Sequence, residues 1–380
     1  VRSTTRRARP SARPTNRKLA RTGLLAGLAV LLGACSGDQS MLDPAGPFAA
    51  KPDSLFTLVF WIAVVVFVLV QGLIIYTAVK YRAKDGDDEL PVQTHGNTRL
   101  EIFWTVVPAL ILAGIAVPTV QQVFDLAEEP EGAMTVEVVG HRWWWEYRYP
   151  DAGVITANEL VIPVDTPIRL EMTSEDPAAD TGVIHSYWVP ALAGKQDVVP
   201  GRVVTLNMQA DEPGRYLGQC TEYCGLSHAN MRNRAVAMEQ ADFDEWLANQ
   251  QQAAVEPEEG SLEAQGAELF SNNCAACHQI RSEPVTGEST ATSMTGPNLT
   301  HLMTRKEFAG AIFDLYLRED PSDPNSPFTD EVNVEQLRAW VQNAPSQKAM
   351  RPEQGYSMPS FANLPDEQID ALVAYLTTLE

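Results

Sequence analysis

Between Cys220 and Met231 the chain reads C-T-E-Y-C-G-L-S-H-A-N-M. Two thiols four residues apart, an imidazole at His228 and a thioether at Met231 supply soft and borderline ligands within one loop, a set that favours copper over hard cations. A one-copper electron-transfer site needs a single thiolate. A second, Cys224, lets both sulfurs bridge two coppers so that one electron is shared across the pair, which spreads the charge change and lowers the reorganisation that accompanies electron transfer. The loop is one histidine short, and His185 in V-I-H-S-Y-W-V-P is the candidate from an earlier strand. A zinc site and a Cys220–Cys224 disulfide are the competing readings; neither uses Met231 or the upstream histidine.

A second cluster, C-A-A-C-H at Cys274 to His278, has the attachment spacing of a c-type haem. The thiols of Cys274 and Cys277 add to the haem vinyl groups and His278 becomes an axial ligand. A redox C-x-x-C of thioredoxin type needs a βαβ setting, and the pattern around these residues is not of that kind. An electron carrier needs a sixth ligand, and methionine raises its potential. Met358, in Y-S-M-P-S-F just before the final helix, is preferred, with Met350 and Met303 as rivals, since most methionines only pack. His301 reads as a loop residue. Of five cysteines, only Cys35 lies outside these two clusters, so no structural disulfide is required.

The elements that must position these groups fall into distinct stretches. Residues 1–35 hold eight Lys or Arg and no acid, then L-L-A-G-L-A-V-L-L-G-A-C, the layout of an export signal. Its ending, Leu32-Gly33-Ala34-Cys35, is that of a lipobox with Cys35 lipidated; an ordinary signal cut nearby is the other reading. Two apolar runs follow, expected as membrane helices over 54–82 and 99–123. Pro108 and Pro118 interrupt the second, which membrane helices tolerate. Lys80, Arg82 and Lys84 on the connecting loop place that loop in the cytoplasm and the rest of the chain outside. Residues 133–249 carry short Val-, Tyr- and Trp-rich segments between turn residues, the pattern of an all-β sandwich or barrel of Greek-key type. Residues 250–261 are acidic and Pro/Gly-containing, a linker. Residues 262–380 are mainly helical, and the last helix places Ile369, Leu372, Val373, Leu376 and Leu379 on one face. Without the export segment the chain holds 20 basic against 49 acidic residues. Such a surface repels nucleic acid and suits basic protein partners, although acidity also serves solubility alone.

Taken together, the motifs resemble subunit II of the haem–copper cytochrome c oxidases, with a class I cytochrome c domain fused at the C-terminus. The loop matches that family's C-x-E-x-C-x-x-x-H-x-x-M at every position. The resemblance implies a dicopper centre, CuA, bridged by Cys220 and Cys224, with His185 and His228 each on one copper, Met231 on one copper and the Glu222 carbonyl on the other. It also implies a magnesium site, shared with subunit I, at the Glu222 side chain. H-G-N-T-R-L-E-I-F-W-T-V-V-P resembles the opening of the family's second membrane helix. There Glu101 corresponds to a carboxylate at the mouth of a proton pathway, although a helix-start carboxylate favoured by the dipole has the same appearance. G-H-R-W-W-W-E-Y resembles the family's aromatic strand, with Trp143 where electrons enter from cytochrome c; such clusters also serve as core or interface packing. Arg142 departs from the Gln of many relatives, and Asp197 to Arg202 fits a structural, subunit-contact segment. T-G-P-N-L resembles the cytochrome c loop whose proline carbonyl fixes the axial histidine, whereas K-A-M-R-P-E-Q-G-Y-S-M-P departs from the usual spacing before the second ligand.

The implied fold is multidomain: a two-helix transmembrane hairpin, a cupredoxin-like sandwich and an all-α cytochrome c domain. The implied function is electron transfer in a proton-pumping terminal oxidase of the bacterial cell membrane, with copper and haem domains on the extracytoplasmic side. Its partners would be subunits I and III, and a c-type cytochrome or cytochrome bc complex as donor. Oxygen reduction would lie in another chain. A stand-alone membrane shuttle would use the same cofactors. Nitrous-oxide reduction shares the copper loop but needs a histidine-rich partner domain, and the chain has six histidines. Quinol-oxidising relatives lack the copper ligands.

Overall fold

The computed structural model describes residues 39–82, 93, 95–175, 182–285, 295–323, 325–354 and 357–380. The export segment with Cys35, and Lys84, lie outside the described residues.

Two long helices come first. Helix α1 (Pro47–Lys80) and helix α2 (Thr98–Ala127) are apolar along their central windows, with the side chains there exposed. At 1.5 Å per residue they measure about 50 and 45 Å, more than the roughly 30 Å of a hydrocarbon core. α1 begins seven residues before the expected span, because Pro47 suits the first helical turn, where its missing N–H costs nothing. α2 starts at Asn97, whose side chain accepts from the amides of Arg99 and Leu100, a cap that satisfies otherwise orphaned donors. Both helices are tied to the outer domain at the same end. Asn207 Nδ2 donates to the carbonyls of Leu126 (3.0 Å) and Glu128 (2.7 Å). Ahead of α1, Ala45 is hydrogen-bonded to Ala191 and Asp211.

The outer domain is a sandwich of two main sheets. One has the order β3 (Val154–Ala157), β2 (Trp144–Tyr149), β1 (Met134–His141), β5 (Ile168–Ser174), β8 (Val204–Met208). The other has the order β4 (Glu159–Pro163), β10 (Arg232–Met238), β9 (Gly214–Gln219). β1 pairs with β5, and β10 with β4, in parallel, while the remaining pairs in these sheets are antiparallel. A short ribbon, β6 (His185–Tyr187) with β7 (Gln196–Val198), closes one end. Val136, Val138, Trp145, Tyr147, Leu160, Ile162, Leu170 and Tyr187 are buried in one core between the layers. Helix α3 (Gln240–Gln250) seals the sandwich by setting Trp246 against Tyr149 at 5.4 Å.

The C-terminal domain packs helix α4 (Leu262–Asn273) across the final helix α6 (Asp366–Leu376), with helix α5 (Val334–Gln347) alongside. All five residues expected on the buried face of the last helix are buried. Gly266 is required where α4 crosses α6, since a Cβ there would sit 2.0 Å from the Ala371 carbonyl oxygen. The domain is mainly helical but carries two short hairpins the sequence pattern does not announce: β11 (Glu307–Phe308) with β12 (Phe313–Asp314), and β13 (Tyr316–Arg318) with β14 (Phe328–Val332). They lie against the sandwich. The residues expected as a linker are stitched to the C-terminal domain: Ala254 donates to the Arg281 carbonyl, Val285 to that of Gln251, and Arg281 to that of Gln250. His301 is part of this seam, its ring nitrogens facing the carbonyls of Glu380 and Gln252.

Candidate metal and haem centres

The tip of the sandwich gathers residues that are up to 46 positions apart. β6 opens with His185, β9 ends just before Cys220, and the loop from Cys220 to Met231 returns through a short 3-10 turn at His228–Asn230 into β10. Ladder bonds between β9 and β10, continued by Cys220 N–H to the Met231 carbonyl, close the loop on itself. His185, Cys220 and Cys224 have ligand atoms within 4.8 Å of one another and are all buried. Cys220 Sγ stands 3.9 Å from His185 Nδ1, 3.9 Å from Cys224 Sγ and 3.3 Å from the Glu222 carbonyl. Cys224 Sγ stands 3.6 Å from His228 Nδ1 and 3.8 Å from Met231 Sδ.

A disulfide has its sulfurs about 2.05 Å apart, so these cysteines are free thiols. The separations are instead those of ligands around metal. With metal–ligand bonds of about 2.0–2.3 Å, neighbouring ligands of a tetrahedron lie roughly 3.3–3.8 Å apart. Two sulfurs, two imidazoles, a buried thioether and a carbonyl exceed what one tetrahedral zinc takes and suit a pair of soft ions. Without metal, the Cys224 thiol donates to Cys220 and so lowers the Cys220 pKa, helped by His185 against the effect of burial; Cys224 keeps the proton and is raised.

Trp143 covers this loop. It is 4% exposed, and its indole Nε1 donates to the Cys224 carbonyl at 3.2 Å. Trp143, with its neighbours Arg142 and Trp144 and with Asn158, also lines a cavity of about 200 Å³ whose remaining walls belong to the C-terminal domain, including Cys274, Cys277, His278, Met350 and Met358. Cys274 caps α4, and His278 follows. His278 Nδ1 lies 2.9 Å from the Pro297 carbonyl, which fixes the ring and leaves the other nitrogen for the cavity. Burial lowers the His278 pKa and keeps the imidazole in its ligating, neutral form. The two thiols, this histidine and a methionine wall suit a covalently held haem. Of the three methionines, Met303 is buried in the helical core. Met350 also packs against the core of the sandwich, leaving Met358 as the one committed to the cavity alone. Glu101 stands apart from both centres, in the first turn of α2.

Several polar residues at the domain boundary escape sequence reasoning. Glu159 of the sandwich accepts from the backbone amides of Lys306 (2.9 Å) and Glu307 (3.0 Å). Glu307 in turn pairs with Arg234 at 2.6 Å and with Arg215 at 3.0 Å, and Arg215 also holds Glu159 at 2.8 Å. Burial would raise Glu159, but Arg215 and the two amides outweigh it and hold the carboxyl below its ordinary range. For Glu307 burial prevails over Arg234, and its pKa is raised. Lys348 donates from Nζ to the carbonyls of Trp143 and Ala309, each at 2.8 Å, and burial pushes its pKa down to about 7. The altered spacing around K-A-M was the only sequence trace of this contact.

Three family descriptions match the chain: "Cytochrome C oxidase subunit II, transmembrane domain" over 34–122, "Cytochrome C oxidase subunit II, periplasmic domain" over 153–238, and "Cytochrome c" over 263–380. The chain is 36% identical to cytochrome c oxidase subunit 2 of Alkalihalophilus pseudofirmus, covering 93% of this chain and 95% of that one. It is 31% identical to the same subunit of Bacillus subtilis, over 94% and 96%. Quinol oxidase subunit 2 of Bacillus spizizenii is 35% identical, but over only 59% of this chain and 70% of that one. The His/Cys/Cys/Met site is of the CuA type and, with the cytochrome c domain, implies copper and haem c. The chain is a membrane protein with two transmembrane helices and a periplasmic domain, and it belongs to the cytochrome c oxidase subunit II family.

Proposed function

We propose that this chain takes electrons from a c-type cytochrome at its own haem domain and delivers them through its copper loop to subunit I of a proton-pumping terminal oxidase. The observation that carries the reading is the convergence of His185, Cys220, Cys224, His228 and Met231 beneath Trp143, whose other side lines the cavity of Cys274, Cys277 and His278. When bound, the copper pair and the haem supply one-electron redox chemistry.

The protein's part is to hold these centres rigid and dry. Cys220 and Cys224, with His185, His228, Met231 and the Glu222 carbonyl, would hold the copper pair. The Glu222 side chain is the candidate for a magnesium ion shared with subunit I. Cys274 and Cys277 would anchor the haem, and His278 and Met358 would ligate its iron. Trp143 fills the space between the two centres and excludes water there. Glu101, at the start of α2, is assigned to proton entrance, and Lys80 and Arg82 to the cytoplasmic side of the hairpin. Subunit III and a cytochrome bc complex or soluble cytochrome complete the set of partners.

Purification from membranes in mild detergent tests the reading. Expected is co-isolation with a haem-containing integral subunit and oxygen consumption driven by reduced cytochrome c. Recovery without such a partner and without oxygen consumption favours an electron shuttle. The axial assignment has its own test. Met358→His should replace the methionine–iron charge-transfer band by a bis-histidine spectrum and lower the haem potential. If only Met350 variants do so, Met350 is the ligand.

A further inference from the structure

We propose that Lys348 is a positioning residue for electron transfer between the two centres, tying the haem domain to the Trp143 backbone directly above the copper loop. The inference rests on the copper and haem assignments just given, and it concerns what sets their relative placement.

The segment Lys348–Met350 touches both sites within three residues. Lys348 Nζ bridges the carbonyls of Trp143 and Ala309. The next residue, Ala349, accepts through its carbonyl from the Ser227 hydroxyl, and Ser227 adjoins His228. Met350 lines the haem cavity and packs on the sandwich core. A buried ammonium is costly unless its donors are used, so an amine 5% exposed and aimed at two carbonyls from different domains marks a specific contact. The indole of the same residue, Trp143, donates to the Cys224 carbonyl. Lys348, Trp143 and Cys224 therefore form a continuous path of hydrogen bonds and covalent bonds from the haem domain to a copper thiol.

The surroundings leave the ammonium little freedom. Gly310 has φ +84, and a Cβ there would lie 2.7 Å from Lys348 Nζ, 2.8 Å from the Asn230 carbonyl oxygen and 2.9 Å from that of Trp143. Arg232 N–H donates to the Gly310 carbonyl at 3.0 Å, so the same turn is pinned from the sandwich side. The ion-pair cluster of Glu159, Arg215, Arg234 and Glu307 is a separate anchor. Removing the Lys348 amine should loosen the approach at Trp143 without undocking the domain.

The test uses the full chain within the detergent-purified oxidase, as Lys348→Met and, independently, Gly310→Ala, which crowds the amine. Two quantities are read: amide exchange by mass spectrometry, and the rate of electron equilibration between haem and copper after photoreduction. Expected in both variants is exchange at Arg232 at least tenfold faster, with the Lys306 and Glu307 amides unchanged, and equilibration at least tenfold slower. The copper EPR pattern and the haem spectrum should not move. Faster exchange with an unchanged electron rate overturns the proposal, because Lys348 would then be structural only. A slower rate with unchanged exchange overturns it too, because the residue would act by charge and not by position. Wild-type chain isolated without copper would sink the copper assignment instead, and the exchange measurement reports on the contact in either case.

Discussion

Cys224→Ser will strip the chain of its two-copper signature while haem c stays at one per chain. Expected are a fall in copper content to one ion or fewer, loss of the seven-line EPR hyperfine pattern and loss of electron delivery by two orders of magnitude or more. The reason lies in the donor set. Cys224 Sγ stands 3.6 Å from His228 Nδ1 and 3.8 Å from Met231 Sδ, and it faces Cys220 at 3.9 Å. Two ions can share an electron only if both sulfurs span them. A serine hydroxyl is harder than a thiolate, loses its proton less readily and is a poor ligand for soft ions. The haem-attachment cysteines belong to a different domain with its own core, which has no reason to respond. A seven-line pattern that survives the substitution would remove Cys224 from the bridge.

Glu307→Ala should release the haem domain from the sandwich. Glu307 is 3% exposed and carries ion pairs to Arg215 and Arg234 across the boundary. Truncating one member of a buried charged network leaves the others uncompensated, at a cost of about 3–5 kcal/mol. Arg234, 7% exposed on β10, would be the stranded charge. The docked state should lose roughly 10²–10⁴-fold against the undocked one. Amide exchange at Arg232, Lys306 and residue 307, all of which donate across the boundary, should accelerate by a similar factor. Exchange at wild-type rates would show that the apolar contact alone holds the domains. The contrast with Lys348→Met is informative, since that variant should free Arg232 and leave the Lys306 and Glu307 amides protected.

Both outcomes bear on how a fused donor works. Trp143, by resemblance the place where electrons enter from cytochrome c, is buried beneath the chain's own haem domain. The acidic segment before α4 does not behave as a free tether in the structure, being hydrogen-bonded to Arg281 and Val285. A docked geometry of this kind suits repeated transfer over one fixed distance.

Much of this molecule was written in local pattern. Ligand chemistry at Cys220–Met231 and Cys274–His278 depends on residue type and short spacing, so it is legible without any fold. The membrane helices follow from apolar runs long enough to span a bilayer, and the last helix from its 3.6-residue period. His185 could be named because one ligand was missing, but only the pairing of the strands brings it to 3.9 Å from Cys220. Met358 is preferred in sequence by its place before the final helix; only the packing of two domains shows that Met303 is buried in the helical core and that Met350 also touches the sandwich. The hairpins between Lys306 and Val332, the Glu159–Arg215–Glu307–Arg234 cluster and the Lys348 contact left almost no mark in the chain. The charged side chains that cross the boundary meet partners 73 to 205 residues away, and a charged residue looks solvent-exposed until something folds over it. Sequence determined which cofactors the protein can hold; tertiary structure alone decided how closely they are held together, because that distance belongs to a surface made by two domains and not to any stretch of either.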